Sequence, residues 1–140
     1  MSAAEPMSLS AQDLLREAAC VACHAPSIAN SQPWLWRISD DVLELRCDPD
    51  RQLHVADPHG QLMVISCGAL LHHAAVVCAV LGTGVAIERV DDATDPVLLA
   101  RLQLTGSRTV TAEDMRMHHA LRLRRTDRRP FRGTGRFRHR

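Results

Sequence analysis

With 140 residues, 46% of them hydrophobic and 24% charged, the chain is long enough for one domain with its own core and too short for two. No apolar run is expected to approach the roughly 20 residues of a membrane span, and the amino terminus, carrying Glu5 and Asp13, has neither the positive nor the continuous apolar segment of a secretory signal. The net charge of +1 conceals an asymmetry: residues 121–140 hold nine arginines against one acid, which leaves −7 for the first 120 residues.

The first predicted element is a helix from Ala11, with Ser10 as N-cap, Asp13 in its first turn and an apolar stripe of Leu14, Leu15, Ala18, Val21 and Ala22. Pro26 stops it just downstream. WLWRI (34–38) and VLELR (42–46) are rich in β-formers and flank Ser39, Asp40 and Asp41, the pattern of a hairpin. Residues 47–60 contain Pro49, Pro58 and Gly60 and read as loop with short turns. The segment 61–81 is apolar on most of its circumference, which predicts a buried central helix ended by Gly82 and Gly84. Strands are predicted at 85–90 and 98–104, with a last helix from about Thr111 running into LRRTDRRPF. The pattern is α+β, with hairpin-like strands segregated from helices.

Five cysteines, Cys20, Cys23, Cys47, Cys67 and Cys78, are odd in number and scattered, which does not suggest a disulfide framework in the cytoplasmic setting expected here. Cys20 to His24 spell C-x-x-C-H, the spacing of covalent haem attachment, but the motif falls at the end of a predicted helix in a chain with no expected export. Zinc would need a second ligand pair, and His72–His73 and His118–His119 are sequence neighbours that point about 100° apart on a helix. No metal is therefore expected. A redox dithiol belongs at a helix amino terminus, where the dipole favours the thiolate, and this one lies at the opposite end.

The next residues, APSIANSQPW (25–34), suit a flavin ring, whose apolar faces and hydrogen-bonding edge call for a stiff loop with hydroxyl, carboxamide and backbone amide groups. Ser27, Asn30, Ser31 and Gln32 offer that set, and Pro26 and Pro33 stiffen it. A plain Asn/Ser turn between helix and strand satisfies the same composition. Near the end, Arg124, Arg125, Thr126 and Arg128 supply guanidinium forks and a hydroxyl suited to a phosphate. The alternatives are a solvated basic tail or a nucleic-acid patch, the latter thinly furnished with stacking aromatics.

APSIANSQPW resembles the A-P-S-x-x-N-S-Q-P-W loop of nitroreductase-fold flavoproteins, and RRTDRRPF is similar to the R-R-S/T-x-R-x-F segment with which that fold holds the FMN phosphate. A loop that precedes the phosphate segment resembles the Acg-type nitroreductase-like family, whose members look like two fused half-units; residues 43–77 are similar to its intervening region. The resemblance covers about residues 11–131. It implies an α+β half of a nitroreductase-like fold, a small antiparallel sheet packed with helices including a buried central helix, over residues 1–131, with 132–140 a basic tail. It implies FMN, reduced by NAD(P)H and reoxidised by a nitroaromatic or quinone, with Pro26, Ser27, Asn30 and Gln32 at the ring and Arg124, Arg125, Thr126 and Arg128 at the phosphate. No catalytic residue is assigned.

His24, Ala29 and Leu35 stand where the family tends to have Arg, His and Arg, and each change removes or weakens a polar contact. After Arg132 the chain becomes GTGRFRHR, which resembles a truncation or a shifted frame. Loop and arginines are expected from opposite half-units, so the reductase reading calls for a homodimer. The alternative is a non-catalytic remnant that binds FMN weakly or acts only through a protein partner; neither reading involves a membrane or nucleic acid.

Overall fold

In the computed structural model, which describes residues 9–127 and 129, the chain opens on helix α1, Ala11–Ala22. The Asp13 N–H donates to the Ser10 hydroxyl oxygen at 3.1 Å, satisfying one of the amide donors that every helix start leaves unpaired. Leu14, Leu15, Ala18, Ala19 and Ala22 form its buried stripe. A short 3₁₀ turn, Ile28–Asn30, leads into the hairpin of β1, Trp34–Ser39, and β2, Val42–Cys47. Its register places Trp34 opposite Cys47 and Ser39 opposite Val42, with Asp40 taking the turn at φ 50°.

Helix α2, Gln61–Val80, follows a second 3₁₀ turn at Pro49–Arg51. Strands β3, Thr83–Arg89, and β4, Leu98–Ser107, complete an antiparallel sheet of order β1-β2-β4-β3, and α3, Ala112–Leu123, is the last element among the described residues. Alternation decides the sheet's faces. Leu43, Leu45, Leu98, Ala100 and Leu102 are buried, while Glu44, Arg46 and Arg101 lie on the other face, where one terminal nitrogen of Arg46 meets both carboxylate oxygens of Asp95 at 2.7 and 2.8 Å and Arg101 meets Glu44 at 3.3 Å. The α+β class expected from the sequence is the observed one.

Two local expectations are corrected. Gly84 does not precede the third strand but lies within it, opposite Gly106; a Cβ at Gly84 would sit 2.7 Å from the Thr105 hydroxyl, so any larger residue would force that side chain to move. The pairing lengthens both strands beyond the apolar runs that mark them. Helix α2 also overturns the expectation that no apolar run approaches a membrane span: it has 20 residues and a mean hydropathy of 2.0, long and apolar enough to cross a bilayer by length and composition. It packs instead against α1, α3, β2 and β3. The buried central helix expected over 61–81 is observed: its second half buries His73, Ala74, Val76, Val77, Cys78 and Ala79, and its exposed residues, among them Leu62, Val64, Ile65, Gly68 and His72, all lie between Gln61 and His72.

Candidate functional site

The loop between α1 and β1 is held in a conformation its residues do not adopt freely. Ala29, Asn30 and Gln32 have φ of 45°, 57° and 48°, a left-handed region that costs a residue with a Cβ, and Ala29 more than Asn30. Such strain persists where the surroundings over-determine it. The Ile28 N–H donates to the Ser66 hydroxyl oxygen at 3.0 Å, and that hydroxyl donates to the Leu62 carbonyl at 2.7 Å. The Gln32 N–H donates to the Ser27 hydroxyl oxygen at 3.0 Å, leaving the Ser27 O–H as a donor. Pro33 is fully buried, and its carbonyl accepts from the Asp48 N–H at 3.0 Å and the Cys67 thiol at 3.3 Å. Trp34, 7% exposed, anchors the exit. Ser66 is the support that sequence reasoning missed; its only signal was a hydroxyl inside an apolar helix.

Beside the loop lies a cleft of about 580 Å³. Pro26, Ser27, Asn30 and Gln32 line one part of it, Arg124 and Thr126 another. Six of the eight residues singled out in the sequence therefore meet, across about a hundred positions of chain. Arg124 reaches over by donating from one terminal nitrogen to the His24 carbonyl at 3.3 Å, and from the other to the Thr126 hydroxyl oxygen at 3.1 Å. Its Nε is buried with no partner among the described residues. Arg125 does not line this cleft: its guanidinium donates to the Arg122 and Arg124 carbonyls at 3.1 and 2.9 Å, satisfying acceptors at the end of α3. Arg128 lies outside the described residues. One chain thus brings the loop and Arg124 together, where the sequence reading assigned them to opposite half-units.

The C-x-x-C-H letters sit at the end of α1, with Cys20 exposed and Cys23 as the C-cap. Burial, and then Cys20 beside it, push the Cys23 thiol up, the reverse of an activated thiol. Burial likewise raises Cys67 to about 12 and Cys78 to about 11, so both behave as core hydrophobes. Among the described residues no group of three or more His, Cys, Asp or Glu side chains is placed to hold a metal ion. Of the histidine neighbours His72 and His73, the first is exposed and the second only 6% exposed. Burial first, then the charges of His72, Arg124 and His24, lower the His73 pKa and keep its ring neutral.

No family model matches the chain. Over 126 residues, 90% of the chain, it is 38% identical to the Mycobacterium tuberculosis protein named "Putative NAD(P)H nitroreductase acg". By sequence the chain is a homologue of the Acg-type nitroreductase-like proteins. A second relative from the same organism, "Putative NAD(P)H nitroreductase Rv3131", is 38% identical over 85% of the chain. The chain spans 38% of the length of the first relative and 34% of the second. The solved structure described as a "Putative NADH Oxidase" from Clostridium acetobutylicum matches with a TM-score of 0.55 over 71% of this chain and 78% of that one. At 12% identity that likeness is one of fold, and it agrees with the nitroreductase-like architecture read from the Acg-type motifs.

Proposed function

We propose that this Acg-type chain binds FMN in the loop cleft and serves an NAD(P)H-dependent, cytoplasmic reductase of nitroaromatics or quinones. The observation that supports the reading is the meeting of the loop with Arg124 and Thr126 in a single cleft. The donor set suits the cofactor. Ser27 has a free O–H and Asn30 an exposed carboxamide for the ring's polar edge, while Arg124 and Thr126 supply a cation and a hydroxyl for the phosphate. Arg125 joins them by exchanging its carbonyl partners for phosphate, and Arg128 enters from the motif alone. FMN, when bound, supplies the acceptor of a nicotinamide hydride and the donor to the oxidised substrate. The loop's part is to hold Ser27, Asn30 and Gln32 in place before the ligand arrives, at the expense of the strain at Ala29.

Leu62, Val64 and Ile65 leave apolar surface on the exposed face of the first half of α2, exposed by 39, 49 and 66%. Apolar surface of this kind favours burial, and the occupant we propose is a second copy of the chain. The departures at His24, Ala29 and Leu35, each of which removes or weakens a polar contact, support a second reading, in which this chain binds flavin without turnover or acts through a partner.

The test compares FMN with riboflavin, which lacks the phosphate. Arg124→Ala should weaken FMN by roughly tenfold or more, the order of a lost charge-assisted hydrogen bond, and leave riboflavin unchanged. Equal losses for both ligands would remove the phosphate assignment. Oxidation of NADH or NADPH with a quinone, read alongside the oligomeric mass, separates the reductase from the flavin-binding reading.

A further inference from the structure

A second cavity, of about 690 Å³, lies among α1, α2 and the end of α3. It adjoins the loop cleft, and His24, Arg124 and Thr126 contribute to both. Its character differs. Val77, Val80 and Leu121 give it an apolar wall, and its volume falls in the range of small-molecule sites, roughly 300 to 1,000 Å³.

Two polar atoms at this cavity are buried and unsatisfied among the described residues: Nδ1 of His73 and Nε of Arg124. Native proteins seldom leave such groups unpaired, because each forfeits its hydrogen bond to water without replacement. His73 is 6% exposed, and no residue among those described occupies it. Arg124 donates once from each terminal nitrogen, to Thr126 and to His24, while its buried Nε–H has no partner among the described residues. Around them the lining carries Arg122, Arg124 and Arg125 against Glu17 alone, a balance that favours an anion.

We propose that this cavity binds an aromatic or branched monocarboxylate, its body against Val77, Val80 and Leu121 and its carboxylate on His73 and Arg124. The ring of His73 is neutral and carries one N–H, which at Nδ1 donates to one carboxylate oxygen while Arg124 Nε–H donates to the other. The proposal does not depend on flavin binding.

The test uses flavin-free protein, naphthoate as the probe and the His73 imidazole resonance as the readout, assigned by its loss in His73→Gln. Naphthoate should produce a saturable shift. The neutral naphthamide should bind about tenfold or more weakly, since it forfeits the charge-assisted contacts. Leu121→Trp, on the partly exposed rim, should weaken naphthoate by about tenfold or more by filling the cavity, whereas Asn30→Ala, in the neighbouring cleft, should leave it unchanged. Absence of a saturable His73 shift at millimolar naphthoate, or equal affinity for the amide, overturns the proposal. So does loss of binding in Asn30→Ala, which would place the probe in the loop cleft. The comparison of naphthoate with naphthamide in the unmodified protein decides the matter even if Leu121→Trp fails to fold.

Discussion

Helices α1 and α3 are each 12 residues long and each begins on a side-chain cap, yet α1 buries five residues and α3 none. Helix α1 is held along its length by apolar packing on α2 and the sheet. Helix α3 depends on its ends. Thr111 and Asp114 form a reciprocal capping box, Arg108 meets Asp114 at 2.8 Å, and Arg125 covers two carbonyls at the other terminus. Between those ends only half-buried side chains such as Met117, His118 and Leu121 cover the helix inwardly. The difference separates fold from site: α1 launches the strained loop from a rigid base, while the arginines hang from a helix that local opening can release.

Removing Leu15 tests the contrast most severely. It is fully buried, so Leu15→Ala should cost about 2 to 5 kcal/mol in urea denaturation, whereas Met115→Ala on α3, at 56% exposure, should stay within about 0.5 kcal/mol. Comparable losses would mean that α3 belongs to the core after all. Thr111→Ala comes next, at about 1 kcal/mol for a lost N-cap. Hydrogen exchange should locate that loss in α3, with the α1 amides unaffected; uniform acceleration would deny α3 its independence.

Acid should sharpen the same division. His73 has a lowered pKa, with burial as the main cause. The unfolded chain therefore takes up a proton that the folded core refuses, and stability falls as pH drops below the ordinary value of 6.5 toward the folded one. Asp114 is lowered chiefly by the backbone N–H of Thr111. Its contribution is intact above the ordinary carboxylate value of 3.8 and is lost only as pH falls through the lower folded value. Histidine-dependent weakening of the core should thus begin well before the α3 cap releases. In His73→Gln the first phase should disappear; its persistence would assign it elsewhere. The smallest effect is expected of Cys20→Ser, an exposed thiol, which should change stability by less than about 0.5 kcal/mol and leave any flavin spectrum as it was. A spectrum that depended on Cys20 would restore the haem reading of the C-x-x-C-H letters.

Much of the architecture was legible in order along the chain because its causes are local. Ser10 caps α1, an alternating pair of segments flanks Asp40 and Asp41, and Pro26 and Pro33 bound the loop, so these elements stand where their own residues put them. Motif resemblance went further and marked the loop and the arginine cluster as two parts of one site. Which arginine reaches the loop was decided by the tertiary structure: Arg124 turns to His24 while Arg125, its neighbour, folds back on the helix end. The exposed face of α2 was equally out of reach, because a helix apolar all round carries no periodicity from which to choose a side. Ser66 and His73 acquire meaning only when α2 docks, one beneath the loop and the other in a cavity walled by three helices. Pairing of β2 with β4 across more than fifty residues belongs to the same class. Such contacts join segments whose individual sequences are compatible with several partners, and only the burial of the whole core selects among them.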